Sequence, residues 1–164
     1  MSNFIDNIPL LSLVTFTPLF GVFLLLTIRS DDEKIVARNS RWVSLWITLG
    51  TFILSLLIWF NFDSTTASFQ FVEKLSWFSA HNINYHMGID GISIFFIVLS
   101  AFLMPLCIIA SWDSIKVRIR EYMIAFLVLE TMMIGMFCAL DMVLFYVFFE
   151  GVLIPMFLII GIWG

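Results

Sequence analysis

The chain has 164 residues, of which 62% are hydrophobic and only 12% charged, with a mean hydropathy of +1.06. Soluble globular domains are about half apolar and a quarter charged, so most of this chain has lipid as its solvent. Its formal net charge of −4 says little about partners, since membrane topology follows the placement of Lys and Arg, and nothing suggests nucleic acid. The two cysteines, Cys107 and Cys138, sit singly in apolar runs without CxxC spacing, which predicts packing residues and no metal or iron–sulfur site.

A membrane-crossing helix needs about 20 mainly apolar residues. The first such run extends from Ile8 to Ile28 with Pro18 inside it, and no basic n-region precedes it, so it reads as a retained helix and not a cleaved signal. Residues Arg29 to Arg41 form a polar connection, and a second apolar helix is predicted over Trp42 to Phe60, with Trp42 and Trp59 at aromatic-belt positions. Residues Asn61 to Tyr85 read as a polar extramembrane loop, in which the alternation Ser68-Phe69-Gln70-Phe71-Val72 suits a short surface strand.

The third helix opens at Asp90 and Gly91, where Asp90 is placed to cap the first turn, and runs to about Ser111 past Pro105. After a basic connection from Trp112 to Glu121, a fourth helix is predicted over Tyr122 to Leu140 and a fifth over Met142 to Trp163, joined at Asp141. The fold class is therefore all-α: a single polytopic membrane domain over 1–164 with five transmembrane helices. Seven of the eight basic residues fall in the first and third connections, which places those loops on the cytoplasmic or matrix side and the N-terminus on the proton-rich side.

Two acids, Glu130 and Glu150, lie inside predicted spans, where an ionised side chain is costly unless compensated. They stand 11 and 9 residues from the turn at Asp141, which at about 1.5 Å per residue puts both near the bilayer midplane. Facing each other, they could share or pass a proton. A carboxyl whose cationic neighbour approaches and withdraws can be unloaded and loaded with a proton, the least that a pump requires. Pro155 cannot donate to the carbonyl of Gly151, leaving an acceptor beside Glu150 where a water can bind. His81 and His86, at the loop, read as solvated or structural, and the nine methionines and the Phe-rich stretch around Phe145 to Phe149 as apolar packing surface.

Two segments are familiar: Tyr85-His86-Met87-Gly88-Ile89-Asp90-Gly91-Ile92-Ser93, and the run from Leu144 to Met156 containing Phe148-Phe149-Glu150-Gly151-Val152-Leu153-Ile154-Pro155. They resemble hallmark segments of subunit 4 of mitochondrial complex I and its bacterial counterpart, and the closing Ile160-Gly161-Ile162-Trp163-Gly164 fits too. The resemblance covers the whole chain. It implies a membrane-arm component of a proton-pumping NADH:quinone oxidoreductase, in the mitochondrial inner or bacterial plasma membrane, surrounded by lipid and other membrane-arm subunits. By the same resemblance, Glu150 matches the family's intramembrane glutamate, which pairs with a lysine on a later broken helix, whereas only part of the family carries an acid at Glu130. Flavin, iron–sulfur clusters and quinone are expected on other subunits, leaving this chain without a cofactor.

The partner lysine and the second inverted repeat are not in this sequence, so either a second chain from a split gene carries the rest of subunit 4 or the chain is a product of truncation, and the split is the favoured expectation. Two other readings stand beside this one: a related cation/proton antiporter or membrane-hydrogenase subunit, and a structural membrane-arm element that carries no protons. No nucleophile–base pair, phosphate-binding glycine loop or metal-ligand cluster suggests a free-standing enzyme.

Overall fold

The computed structural model describes residues 9–78 and 83–164. Its elements, in order, are α1 (Leu10–Thr27), α2 (Glu33–Asn61), β1 (Gln70–Phe78), β2 (Ile83–Ile89), α3 (Ser93–Ala110), α4 (Ile119–Cys138) and α5 (Met142–Trp163). All five helices are long and apolar enough to cross a membrane. The four helices α1 to α4 form a ring in which α1 packs on α2 and α4, and α3 packs on the same two, while α5 lies outside the ring against α4.

The second helix starts nine residues before the predicted Trp42, at Glu33. Hydropathy marks the lipid-crossing part, whereas the helix itself begins where its amides find a cap: the Asp32 carboxylate accepts the Lys34 N–H at 2.8 Å. The added turns carry Glu33, Lys34, Ala37 and Arg38, all helix-tolerant residues that remain in water. The fourth helix begins three residues before the predicted Tyr122, at Ile119, and both α1 and α4 end within two residues of the apolar boundary.

The segment read as a loop over 61–85 contains most of an antiparallel hairpin. Strand β1 pairs with β2 from Gln70↔Ile89 to Phe78↔Ile83, with bulges near both ends. The alternation at Ser68 to Val72 marks only the start of β1. Strand β2 is secured from afar, because the Leu140 N–H donates to the His86 carbonyl at 2.9 Å and Met87 bridges Ala139. Gly88 permits this approach, since a Cβ there would lie 2.6 Å from Leu140 Cδ1. The hairpin thus straps the turn between α4 and α5. His81 lies outside the described residues.

Two apolar clusters fill the bundle. One, at the hairpin end, includes Leu11, Val14, Ile58, Met87, Ile97, Ile134 and Phe148. The other, toward the basic connections, is built on Leu25, Ile108, Tyr122, Met123 and Leu127. On α4 the stretch between Leu127 and Ile134 separates them, and it contains the buried Glu130 and Thr131.

Candidate functional site: two intramembrane carboxyls

Glu130 and Glu150 each stand eight residues from the hairpin end of their helix, counting from Cys138 and Met142. Both are therefore about 12 Å along the helix axis from that end. Equal depth does not bring them together. Along α4, the residues that meet α5 near the level of the acids include Met132, 2.7 Å from a Cβ built on Gly151, and Gly135, against the Phe148 ring. At about 100° per residue, these positions lie roughly 200° and 140° around α4 from Glu130, respectively. Along α5 the buried residues are Leu144, Phe148 and Pro155, and Glu150 projects away from that stripe by more than about 100°.

The carboxyls accordingly occupy different surroundings. Glu130 is 0% exposed, and neither of its oxygens has a hydrogen-bond partner among the described residues. Glu150 is exposed on the outer face of α5, with the exposed Tyr146 one turn back on the same face. Direct proton sharing between the two, which the sequence allowed, is not the geometry of this chain. The exposed neighbours of Glu150 on α5 include Val147, Phe149, Leu153, Ile154 and Phe157, all apolar.

Pro155 is buried in the seam between α4 and α5, and Gly151 beside Met132 belongs to the same seam. Asp90 accepts the N–H groups of Ser93 at 2.7 Å and Ile92 at 3.2 Å, capping α3, and these bonds hold its carboxyl below the usual range. Gly91 has open space around its Cβ position and no positive φ. Asp141 accepts from Val143 and Leu144 in the first turn of α5 and from the Asn84 N–H of β2 at 3.2 Å. Those backbone donors, Asn84 foremost, hold its carboxyl below the usual range.

Sequence reasoning missed two features. Glu73, assigned to the loop, accepts the Leu11 N–H at 2.8 Å, the Ser12 N–H and the Ser12 hydroxyl, so it caps α1, whose own N-cap residue Pro9 supplies no side-chain acceptor. The second is on α2: its buried residues are Ser40, Ser44, Thr48, Thr51, Ser55 and Ile58, five hydroxyls at helical spacing with one apolar residue. The recurrence at 40, 44, 48, 51 and 55 was the available signal.

The family model for the amino terminus of NADH-ubiquinone oxidoreductase chain 4 matches residues 17–140. The chain is 49% identical over 154 residues to the NADH-ubiquinone oxidoreductase chain 4 of Arabidopsis thaliana and 51% identical over 154 residues to that of Chondrus crispus. It is 51% identical over 155 residues to the NADH-quinone oxidoreductase subunit M of Rhodobacter capsulatus. Each alignment covers 94% of this chain and 30% of the relative. This chain, spanning about 30% of the length of those relatives, belongs to the NADH-ubiquinone oxidoreductase chain 4 family.

Proposed function

We propose that the chain is a membrane-arm component of a proton-pumping NADH:quinone oxidoreductase, and that Glu150 is a protonatable group on its translocation path. The observation that carries this reading is the position of Glu150: exposed, mid-helix, on a face of α5 that is otherwise apolar. An acid facing lipid at the centre of a helix costs about 3 kcal/mol or more. The face is therefore one that further protein covers, and the covering segment must offer the carboxylate a donor or a cation.

In our reading that segment carries the family's intramembrane lysine and belongs to a second chain supplying the rest of the subunit. The protein sits in an energy-coupling membrane with the hairpin and the α4–α5 turn on the proton-rich side, in keeping with the basic residues clustered at the other end. Approach of a lysine stabilises the Glu150 carboxylate, and its withdrawal favours the protonated form. Glu130, on the far side of α4, is a second protonatable group of the same subunit.

The test is Glu150→Gln in the assembled complex, with NADH-driven acidification measured in reconstituted vesicles and co-migrating chains identified from a native gel. We expect pumping to fall to a small fraction while the complex still assembles, and a hydrophobic chain bearing the rest of the subunit to migrate with it. Undiminished pumping would reduce the chain to a structural element. Migration in an assembly that does not oxidise NADH would favour an antiporter or hydrogenase subunit.

A further inference from the structure

Glu130 is a fully buried carboxyl with two unpartnered oxygens, lying between the two apolar clusters of the bundle. Groups of that kind are ordinarily satisfied by protein or by internal water, and here no protein atom serves. Because Glu130 points away from α5, it faces the interior enclosed by α1, α2 and α3.

What α2 offers to that interior is the hydroxyl stripe. Helices α2 and α4 run parallel, and their level is fixed at Gly21 of α1, where an added Cβ would meet Ile47 Cγ2 at 2.8 Å and Leu127 Cδ1 at 3.0 Å. Thr51 is four residues beyond Ile47, and Glu130 three beyond Leu127, so the two share a level to within about 1.5 Å. Thr48 and Thr51 donate to their own backbone, to Leu45 and Ile47, and each keeps lone pairs free to accept. Further toward the basic end, the Ser44 and Ser40 hydroxyls are buried without a protein partner, as is Nε of Arg41.

Arg41 in turn opens onto water. It lines a cleft of about 730 Å³ between the two basic connections, together with Ala37, Lys116, Arg118 and Arg120. Its Nη2 donates to the Ile115 carbonyl at 2.8 Å, and its guanidinium lies 5.8 Å from the centre of the Trp112 ring, which fixes the mouth. From Ser40 to Thr51 the stripe spans about 16 Å. Unsatisfied or acceptor-competent polar atoms at about one-turn spacing therefore run along α2 from an aqueous cleft to the level of a buried acid.

We propose that internal waters along the Ser40, Ser44, Thr48 and Thr51 face of α2 connect Glu130 to the basic cleft at Arg41, giving it a proton-exchange route separate from Glu150. A proton from bulk water enters at the cleft, passes along the hydrogen-bonded waters and forms the O–H of Glu130; release retraces the same steps. The proposal rests on reading Glu130 as protonatable, which the test below examines separately from pumping.

The measurement is infrared spectroscopy of the assembled complex, with Glu130→Gln assigning the protonated-carboxyl stretch and the rate of its shift in D2O giving access. Replacing a hydroxyl by an apolar group, of equal size in Thr48→Val and larger in Ser44→Val, breaks the water chain, so each should slow the exchange by about tenfold or more. Ser44→Ala, which leaves room for a water, should slow it less. Thr48→Val is isosteric, so it reads the route even if Ser44→Val fails to assemble. Unchanged exchange in Thr48→Val, or no carboxyl band lost in Glu130→Gln, overturns the proposal. Slowed exchange with intact NADH-driven pumping upholds the route and removes Glu130 from the pumping path.

Discussion

The link between Glu73 and α1 sets the stability of the hairpin end. The first four amides of a helix have no intrahelical acceptor. In α1, Glu73 takes the Leu11 N–H at 2.8 Å and the Ser12 N–H at 3.2 Å, and the Ser12 hydroxyl donates to it and approaches the Tyr85 hydroxyl at 2.6 Å. Hydrogen bonds to a charged group contribute about 1.5–3 kcal/mol and loss of a cap costs about 0.5–2 kcal/mol, so for this half-buried site Glu73→Ala should cost about 2 kcal/mol. That corresponds to roughly thirtyfold faster opening of the first turn, at about 1.4 kcal/mol per decade. Glu73→Gln keeps one acceptor oxygen and should cost about half as much. Hydrogen–deuterium exchange followed by mass spectrometry reads this in the peptide containing Leu11 and Ser12, with α4 peptides as internal reference. Ser12→Ala, which leaves both amide bonds, should change little. An acceleration below about twofold in Glu73→Ala would refute the cap.

Asp141 carries a pH prediction. Its carboxyl is held below the usual range by backbone donors, so its contribution is complete above about pH 4 and is lost as pH falls through its depressed folded value. Protection of the Val143 and Leu144 amides, corrected for intrinsic exchange, should therefore decline only below that pH, and Asp141→Asn should remove the dependence. Protection that falls between pH 5 and 7 instead would contradict the assignment. The α4–α5 seam carries a steric one. A methyl at Gly135 meets the Phe148 ring, whereas one at Gly151 meets the flexible Met132 side chain at 2.7 Å. Gly135→Ala should cost about 1–3 kcal/mol and Gly151→Ala less than about 1 kcal/mol, read as the denaturation midpoint of the complex in detergent. The reverse order would mean that the seam is set elsewhere.

The five spans were legible because the bilayer demands a run of apolar residues whatever the helix packs against, and such runs are marked in Leu10–Thr27 and Met142–Trp163 without any knowledge of neighbours. The similar distance of Glu130 and Glu150 from the α4–α5 turn was legible from their positions in the chain. Which way each points was not, since that depends on which face of α4 meets α5, and Gly135 and Gly151 mark that seam only once their partners Phe148 and Met132 are known. Strand β2 was hidden because its residues have mixed polarity and its anchor is a carbonyl bond from Leu140. Glu73 was hidden by separation, 62 residues from Leu11. The stripe on α2 escaped because serine and threonine are too weakly polar to interrupt an apolar run, although at one helical face they decide what the bundle interior can solvate.

The two acids call for opposite conditions, and the ring of α1 to α4 separates them. Glu130 is fully buried within this chain and its oxygens have no hydrogen-bond partner among the described residues, which leaves internal water as the partner we propose for it. Glu150 has its back to the same chain: α5 is fixed on α4 by Leu144, Phe148 and Pro155 and capped by Asp141, which orients the helix before anything else binds. A carboxyl whose orientation is set in advance asks only that the covering segment bring a donor to the right depth, and little ordering is then left for binding to impose. Mutations that loosen the Gly135 seam should on this reasoning weaken a covering segment's hold on Glu150 more than they disturb Glu130, which lies about 140° around α4 from Gly135.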